Sequence, residues 1–188
     1  MENEKFQNRY RIPSARASWH AYDGGAYFVT ICTAHRKHYC GEISNGEMHL
    51  TEIGQLVEKN LQTVSEHYHY AEIPLYVIMP NHLHAIVIID ENKITSIRRH
   101  CRDAACHVST IGETEKMQEI AIQSGWLSVC IGGIKSAITK YAHQNNIDFE
   151  WQARFHDHIV RDINEMNRIA CYIENNVSHW VSDIFYND

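Results

Sequence analysis

Residues 71–89 constrain the fold more than any other part of the chain. They read AEIPLYVIM, then Pro80-Asn81, then HLHAIVII. Two apolar, β-rich runs on either side of a Pro-Asn break predict two strands folded back on one another as an antiparallel pair. No apolar run here or elsewhere approaches the ~18–20 residues of a membrane span. The neighbouring segments alternate in pattern. Residues 26–33 (AYFVTICT) follow Asp23-Gly24-Gly25 and predict a buried strand. Short runs at 38–43 and 47–50 flank Asn45-Gly46 and predict a hairpin. Thr51 as N-cap, with Ile53, Leu56, Val57 and Leu61 at helical spacing, predicts a helix over 52–66. Val129, Ile134, Ala137, Ile138 and Tyr141 predict another from Ser128. Residues 149–160 (FEWQARFHDHIV) alternate in part and predict a last strand. Asp162 as N-cap and Glu165 at the capping-box position open a final helix ending near Asn176, with Met166, Ile169, Ala170 and Ile173 inward.

This order predicts an α+β domain on an antiparallel sheet. A length of 188 residues fits one domain over 1–188. Residues 91–126 show no sustained period and are too long for an ordinary connection, so a flexible insertion is expected at about 92–126. Its His100-Cys101 and Cys106-His107 pairs match no common zinc spacing and are read as loop. The N-terminal residues lack the apolar core of an export signal, so a cytoplasmic location and reduced thiols for the six cysteines are expected. A net charge of −6 argues against non-specific nucleic-acid binding. The charge is uneven, however: residues 1–40 carry six Lys+Arg against three Asp+Glu, which leaves room for a local basic patch.

The chemistry concentrates in a few positions. On a strand, residues i and i+2 share a face, so His82 and His84 point the same way. Two imidazoles on one face are a natural pair of metal ligands that need a third from elsewhere; spacing alone leaves open two histidines on an exposed sheet face. Tyr172 and Asn176, four apart, share a helical face. They offer a nucleophile and an amide oxygen for a hard cation, although most tyrosines on a terminal helix are packing residues. Lys135, Lys140, Arg154 and Arg161 suit phosphate contacts or solvated surface equally well. His156 and His158 repeat the i, i+2 spacing and read as strand-edge histidines.

Taken in order, the blocks MPNHLHAIVII, GGIKSAITKYA, WQARFHDHIVRD and CYIENN resemble the HUH single-tyrosine transposases of small insertion sequences, and in particular the repeat-associated tyrosine transposases. The resemblance implies a ferredoxin-like antiparallel sheet with helices packed on one face, the HUH endonuclease core. It implies His82, His84 and Asn176 as metal ligands, Tyr172 as nucleophile, and Mg²⁺ or Mn²⁺ as cofactor. The implied partner is single-stranded or hairpin DNA, with Lys135, Lys140, Arg154 and Arg161 as low-ranked contacts. The implied activity is single-strand cleavage and strand transfer through a 5′-phosphotyrosine. The alternative is a domesticated hairpin-binding protein that no longer transposes. Relatives are often dimers, so a homodimer is one assembly the resemblance allows. Val177 stands where the family often has proline.

Overall fold

The computed structural model describes residues 24–104 and 125–186. In chain order the elements are β1 (Gly25–Cys32), β2 (Gly41–Ser44), β3 (Glu47–Leu50), α1 (Glu52–Gln62), α2 (Val64–His67), β4 (Ala71–Met79), β5 (His82–Ile89), α3 (Glu91–Ala104), α4 (Trp126–Gln144), β6 (His156–Val160) and α5 (Ile163–Asn175). A 3₁₀ segment, Val177–Ser182, follows α5.

The main sheet has the order β4-β5-β1-β6, and every neighbouring pair is antiparallel. With α1 between β1 and β4 and α4 between β5 and β6, this is the ferredoxin-like βαββαβ arrangement. The expected turn at Asn45-Gly46 joins β2 to β3, and both turn residues have positive φ (54° and 79°), as a tight hairpin with right-handed strand twist requires.

β5 is buried almost throughout, so both of its faces need cover. One face supplies Leu83, Ala85, Val87 and Ile89. These pack with Tyr27, Val29 and Ile31 of β1, with Ile53, Val57 and Leu61 of α1, and with Ile131, Ile134 and Ile138 of α4 in one apolar core. The expectation of helices on one face holds for α1 and α4. α5 lies across the opposite face, over β4 and β5, and brings Tyr172 to His84. His82 and His84 are therefore buried under a helix rather than displayed on an open sheet.

Three boundaries differ from the sequence expectation for identifiable reasons. The helix read over 52–66 divides at Thr63, whose hydroxyl donates back to the Lys59 carbonyl, a bond that competes with helix continuation. The last strand begins only at His156. Arg154 has φ +69°, which interrupts the extended run, and Trp151 keeps a single bridge to Thr33. The segment read as an insertion opens as a helix, α3, capped by the Asp90 carboxylate and anchored by fully buried Ile94. The side chains of the His100-Cys101 and Cys106-His107 pairs lie outside the described residues, as do residues 105–124. Among the described residues no helix is long and apolar enough to cross a membrane.

Candidate metal and tyrosine site

β5 is an interior strand, flanked by β4 and β1, so its two histidines enter a dry setting: His82 is 0% and His84 2% exposed. Each ring is held from behind. The Asn81 amide nitrogen donates to the Phe185 carbonyl (2.8 Å), which turns its oxygen toward His82 Nδ1 (2.8 Å). That oxygen only accepts, so His82 carries its proton on Nδ1 and keeps the Nε2 lone pair free. His84 Nδ1 meets the Thr30 hydroxyl at 2.8 Å, and its Nε2 lies 3.2 Å from the Tyr172 hydroxyl. An outer partner that fixes tautomer and ring orientation is the usual support of a metal-binding histidine.

Electrostatics agree with that geometry. Burial pushes His82 down to about 2, with the His84 and Arg36 charges adding to the effect, and burial alone pushes His84 down to about 4. Both are neutral near pH 7, the form that ligates metals.

α5 and the segment after it complete the site. Asn176 caps α5 one turn beyond Tyr172 and is 2% exposed, and its Oδ1 has no hydrogen-bond partner among the described residues. His82 Nε2 is also without one. Two buried acceptors left unpaired cost roughly 1–3 kcal/mol each unless something satisfies them. Asp183, at the end of the 3₁₀ segment, offers a carboxylate oxygen. It and one nitrogen from each of His82 and His84 all lie within 4.8 Å of one another. Imidazole nitrogen, amide oxygen and carboxylate oxygen are ligand atoms that suit a divalent cation. The residues present fit the metal that the resemblance implies.

Tyr172 is 44% exposed and so reachable from solvent. Burial of its ring and then the Asp183 charge raise its phenol above the ordinary value, while the Asn176 amide pulls it down. Trp180 and Phe185 close the site beyond His82, at ring distances of 6.0 and 4.5 Å. Arg36 holds this wall by donating to the Ile184 carbonyl at 3.0 Å.

The structure thus brings His82, His84, Tyr172 and Asn176 together. It places the four basic residues elsewhere. Lys135 donates to the carbonyls of Gln152 (2.8 Å) and Arg154 (2.7 Å), so its ammonium fastens the segment leading to β6. Lys140 is exposed on α4 and lines an open groove of about 830 Å³ with His143, Phe149 and Trp151. Arg154 and Arg161 are exposed just before and just after β6. Sequence reasoning missed Asp183, Thr30 and Asn81. Thr30 had a signal, a polar residue on the same face of a buried strand as its β5 neighbour; Asp183 had none.

No protein-family model matches the chain. A protein of Haemophilus influenzae, described as uncharacterized, is 29% identical over 165 residues, which is 87% of this chain and 86% of that protein. Among solved structures, a REP-associated tyrosine transposase bound to a REP hairpin aligns with all of this chain and 89% of its own, at 18% identity and a TM-score of 0.47. A candidate transposase from Deinococcus radiodurans R1 aligns with 85% of this chain and 95% of its own, at 14% identity and a TM-score of 0.38. The chain is thus similar to two structures described as transposases, and at these TM-scores the likeness carries no argument about activity.

Proposed function

We propose that the protein cleaves and rejoins single-stranded or hairpin DNA through Tyr172, as a single-tyrosine transposase-like enzyme dependent on Mg²⁺ or Mn²⁺. One observation carries this reading: the Tyr172 hydroxyl stands 3.2 Å from Nε2 of a buried, neutral histidine, beside a set that holds the Asp183 carboxylate and two buried acceptors, His82 Nε2 and Asn176 Oδ1, with no hydrogen-bond partner among the described residues. A tyrosine that merely packed would not need that set.

His82, His84 and Asn176 would hold the cation, with Asp183 as a further oxygen donor. A bound divalent cation polarises a non-bridging phosphate oxygen and offsets the charge of the transition state. Tyr172 contributes the attacking oxygen. Its O–P bond forms as the bond from phosphorus to the 3′ oxygen breaks. The departing oxygen takes up a proton as a free 3′-hydroxyl, and the 5′ side stays on the enzyme as a phosphotyrosine. Because the phosphodiester energy is retained, a 3′-hydroxyl can reverse the step and join a different strand. Thr30 and Asn81 keep the imidazoles aimed. The elevated phenol pKa means that Tyr172 is protonated at neutral pH until positive charge enters the site. Lys140, Arg154 and Arg161 are proposed contacts to the DNA backbone.

The test is incubation of the full chain with labelled hairpin DNA and Mn²⁺, read on a denaturing gel. A covalent adduct that disappears in Tyr172→Phe and in His82→Ala is the expected result. Tight hairpin binding with no adduct from a broad hairpin pool would overturn the enzymatic reading in favour of a domesticated binding protein.

A further inference from the structure

α5 packs chiefly over the β4 and β5 part of the sheet face that carries His82 and His84, and reaches β1 and β6 through Tyr172 against Phe28 and Glu165 against His158. The rows of that face continue onto the other two strands: His84 is opposite Thr30, and Thr30 opposite His156; Ile86 is opposite Phe28, and Phe28 opposite His158. By the pleat, Phe28, His156 and His158 therefore point the same way as the two site histidines. His156 and His158 are exposed, whereas Asp157 and Ile159, on the other face, are half-buried.

Phe28 stands between the site and β6 in the sheet, opposite His158. Phe28 stacks on His84 at 5.2 Å with 25° between planes, and meets Tyr172 edge-on at 6.0 Å. The next strand presents the two imidazoles, about 10 Å from His84 at two strand spacings. His158 is fixed by a 2.8 Å bond from Nε2 to the Glu165 carboxylate, which also accepts from the Arg161 backbone N–H. Arg154 and Arg161 stand just outside the two ends of β6. Trp180 and Phe185 cover His82. Among the described residues, a strand whose phosphate reaches Tyr172 thus meets Trp180 and Phe185 beside His82, and half-buried Phe28 with exposed His156 and His158 on the β1–β6 part of the sheet.

We propose that Phe28, His156 and His158 form a stacking platform for the unpaired nucleotides beside the scissile phosphate. This rests on the strand-cleavage reading above and adds to it where the substrate runs. Ring faces on a sheet stack on unpaired bases and tolerate any sequence, while cations at the margin take the phosphates. Duplex DNA is excluded as occupant, because paired bases do not offer their faces.

The experiment uses full-length Tyr172→Phe protein, so that bound DNA is not consumed. Hairpins with short single-stranded flanks carry iododeoxyuridine at one flank position at a time, and photocrosslinked peptides are mapped by mass spectrometry. Crosslinks in the β1 and β6 peptides are expected. His156→Ala, made in the same background, should weaken flank binding by about tenfold in fluorescence anisotropy. Mn²⁺ affinity should stay unchanged, a readout that a general loss of fold would move. Crosslinks confined to the Lys140 groove or to the segment after α5 would overturn the platform and leave cleavage by Tyr172 standing. A concentration-dependent dimer that His156→Ala disrupts, with flank binding intact, would also overturn it and assign this face to a second copy. No binding to any hairpin or single strand, together with no adduct from the unsubstituted protein, would sink the cleavage reading itself.

Discussion

Thr30 is the residue whose replacement separates geometry from mere presence of ligands. Its hydroxyl meets His84 Nδ1 at 2.8 Å, and valine has nearly the same shape without the oxygen. Thr30→Val should leave the fold unchanged by circular dichroism and lower Mn²⁺ affinity by about 10–100-fold in titration calorimetry, the usual cost of losing an outer-shell partner. Asp183 makes an opposed pair of effects. Its charge raises the Tyr172 phenol, so Asp183→Asn should make that phenol more acidic in an ultraviolet titration of metal-free protein. The same change should weaken Mn²⁺ binding and lower adduct yield, because the carboxylate beside His82 and His84 is gone. The histidines also set a pH dependence. Both folded values lie below the ordinary 6.5, to about 4 for His84. The unfolded chain therefore takes up protons first as pH falls, and the folded form loses stability between 6.5 and about 4. For His84 alone the loss is at most about 3 kcal/mol. Urea midpoints of metal-free protein should fall across that window, and His84→Gln should flatten the slope. A flat profile in the unsubstituted protein would show that the rings are not buried and neutral.

At the level of elements, α5 carries Tyr172, the proposed nucleophile, and is held at both ends. Asp162 accepts from the Glu165 N–H, and the Glu165 carboxylate accepts from the Arg161 N–H and pairs with His158. At the other end Ile173 is 1% exposed, next to Tyr172 in sequence. Asp162→Ala should cost about 1 kcal/mol in denaturant unfolding, and Ile173→Ala about 2–5 kcal/mol. The second should also slow adduct formation under conditions where the protein remains folded, because it loosens the turn that aims the nucleophile. Equal slowing by both would mean that α5 moves as a rigid unit. This helix was legible because its cap, its inward stripe and its Tyr172–Asn176 spacing are all local, and the two histidines were legible because strand alternation is local too. α3 was missed because, among its described side chains, only Ile94 and Ile97 pack into the core, too short a stripe to read as a period. The split at Thr63 turns on one side-chain bond. Asp183 and Asn81 become parts of the site only when the segment after α5 folds back over β5, a long-range event with no local trace.

For the molecule as a whole, the two faces of the sheet divide stability from function. The face against α1 and α4 is apolar and closed. The side under α5 buries His82, His84 and Asn176, and among the described residues leaves His82 Nε2 and Asn176 Oδ1 unpaired, which opposes folding in the absence of a ligand. A cation held by this group would link binding to folding, because the folded state alone assembles the donor set. At a hundredfold excess over the dissociation constant, such linkage adds about 2.7 kcal/mol. For a chain of this length that corresponds to a rise of roughly 5–10 °C in Tm. Mn²⁺ should produce that rise in the unsubstituted protein and none in His82→Ala. Leu83→Ala, one residue along on the opposite face, should lower Tm through lost packing yet keep the full Mn²⁺ increment. The contrast matters because the two residues are adjacent in sequence and differ only in the face they occupy. An increment lost equally in both variants would mean that the cation stabilises the fold at large, and the assignment of the metal to the α5 face would fail.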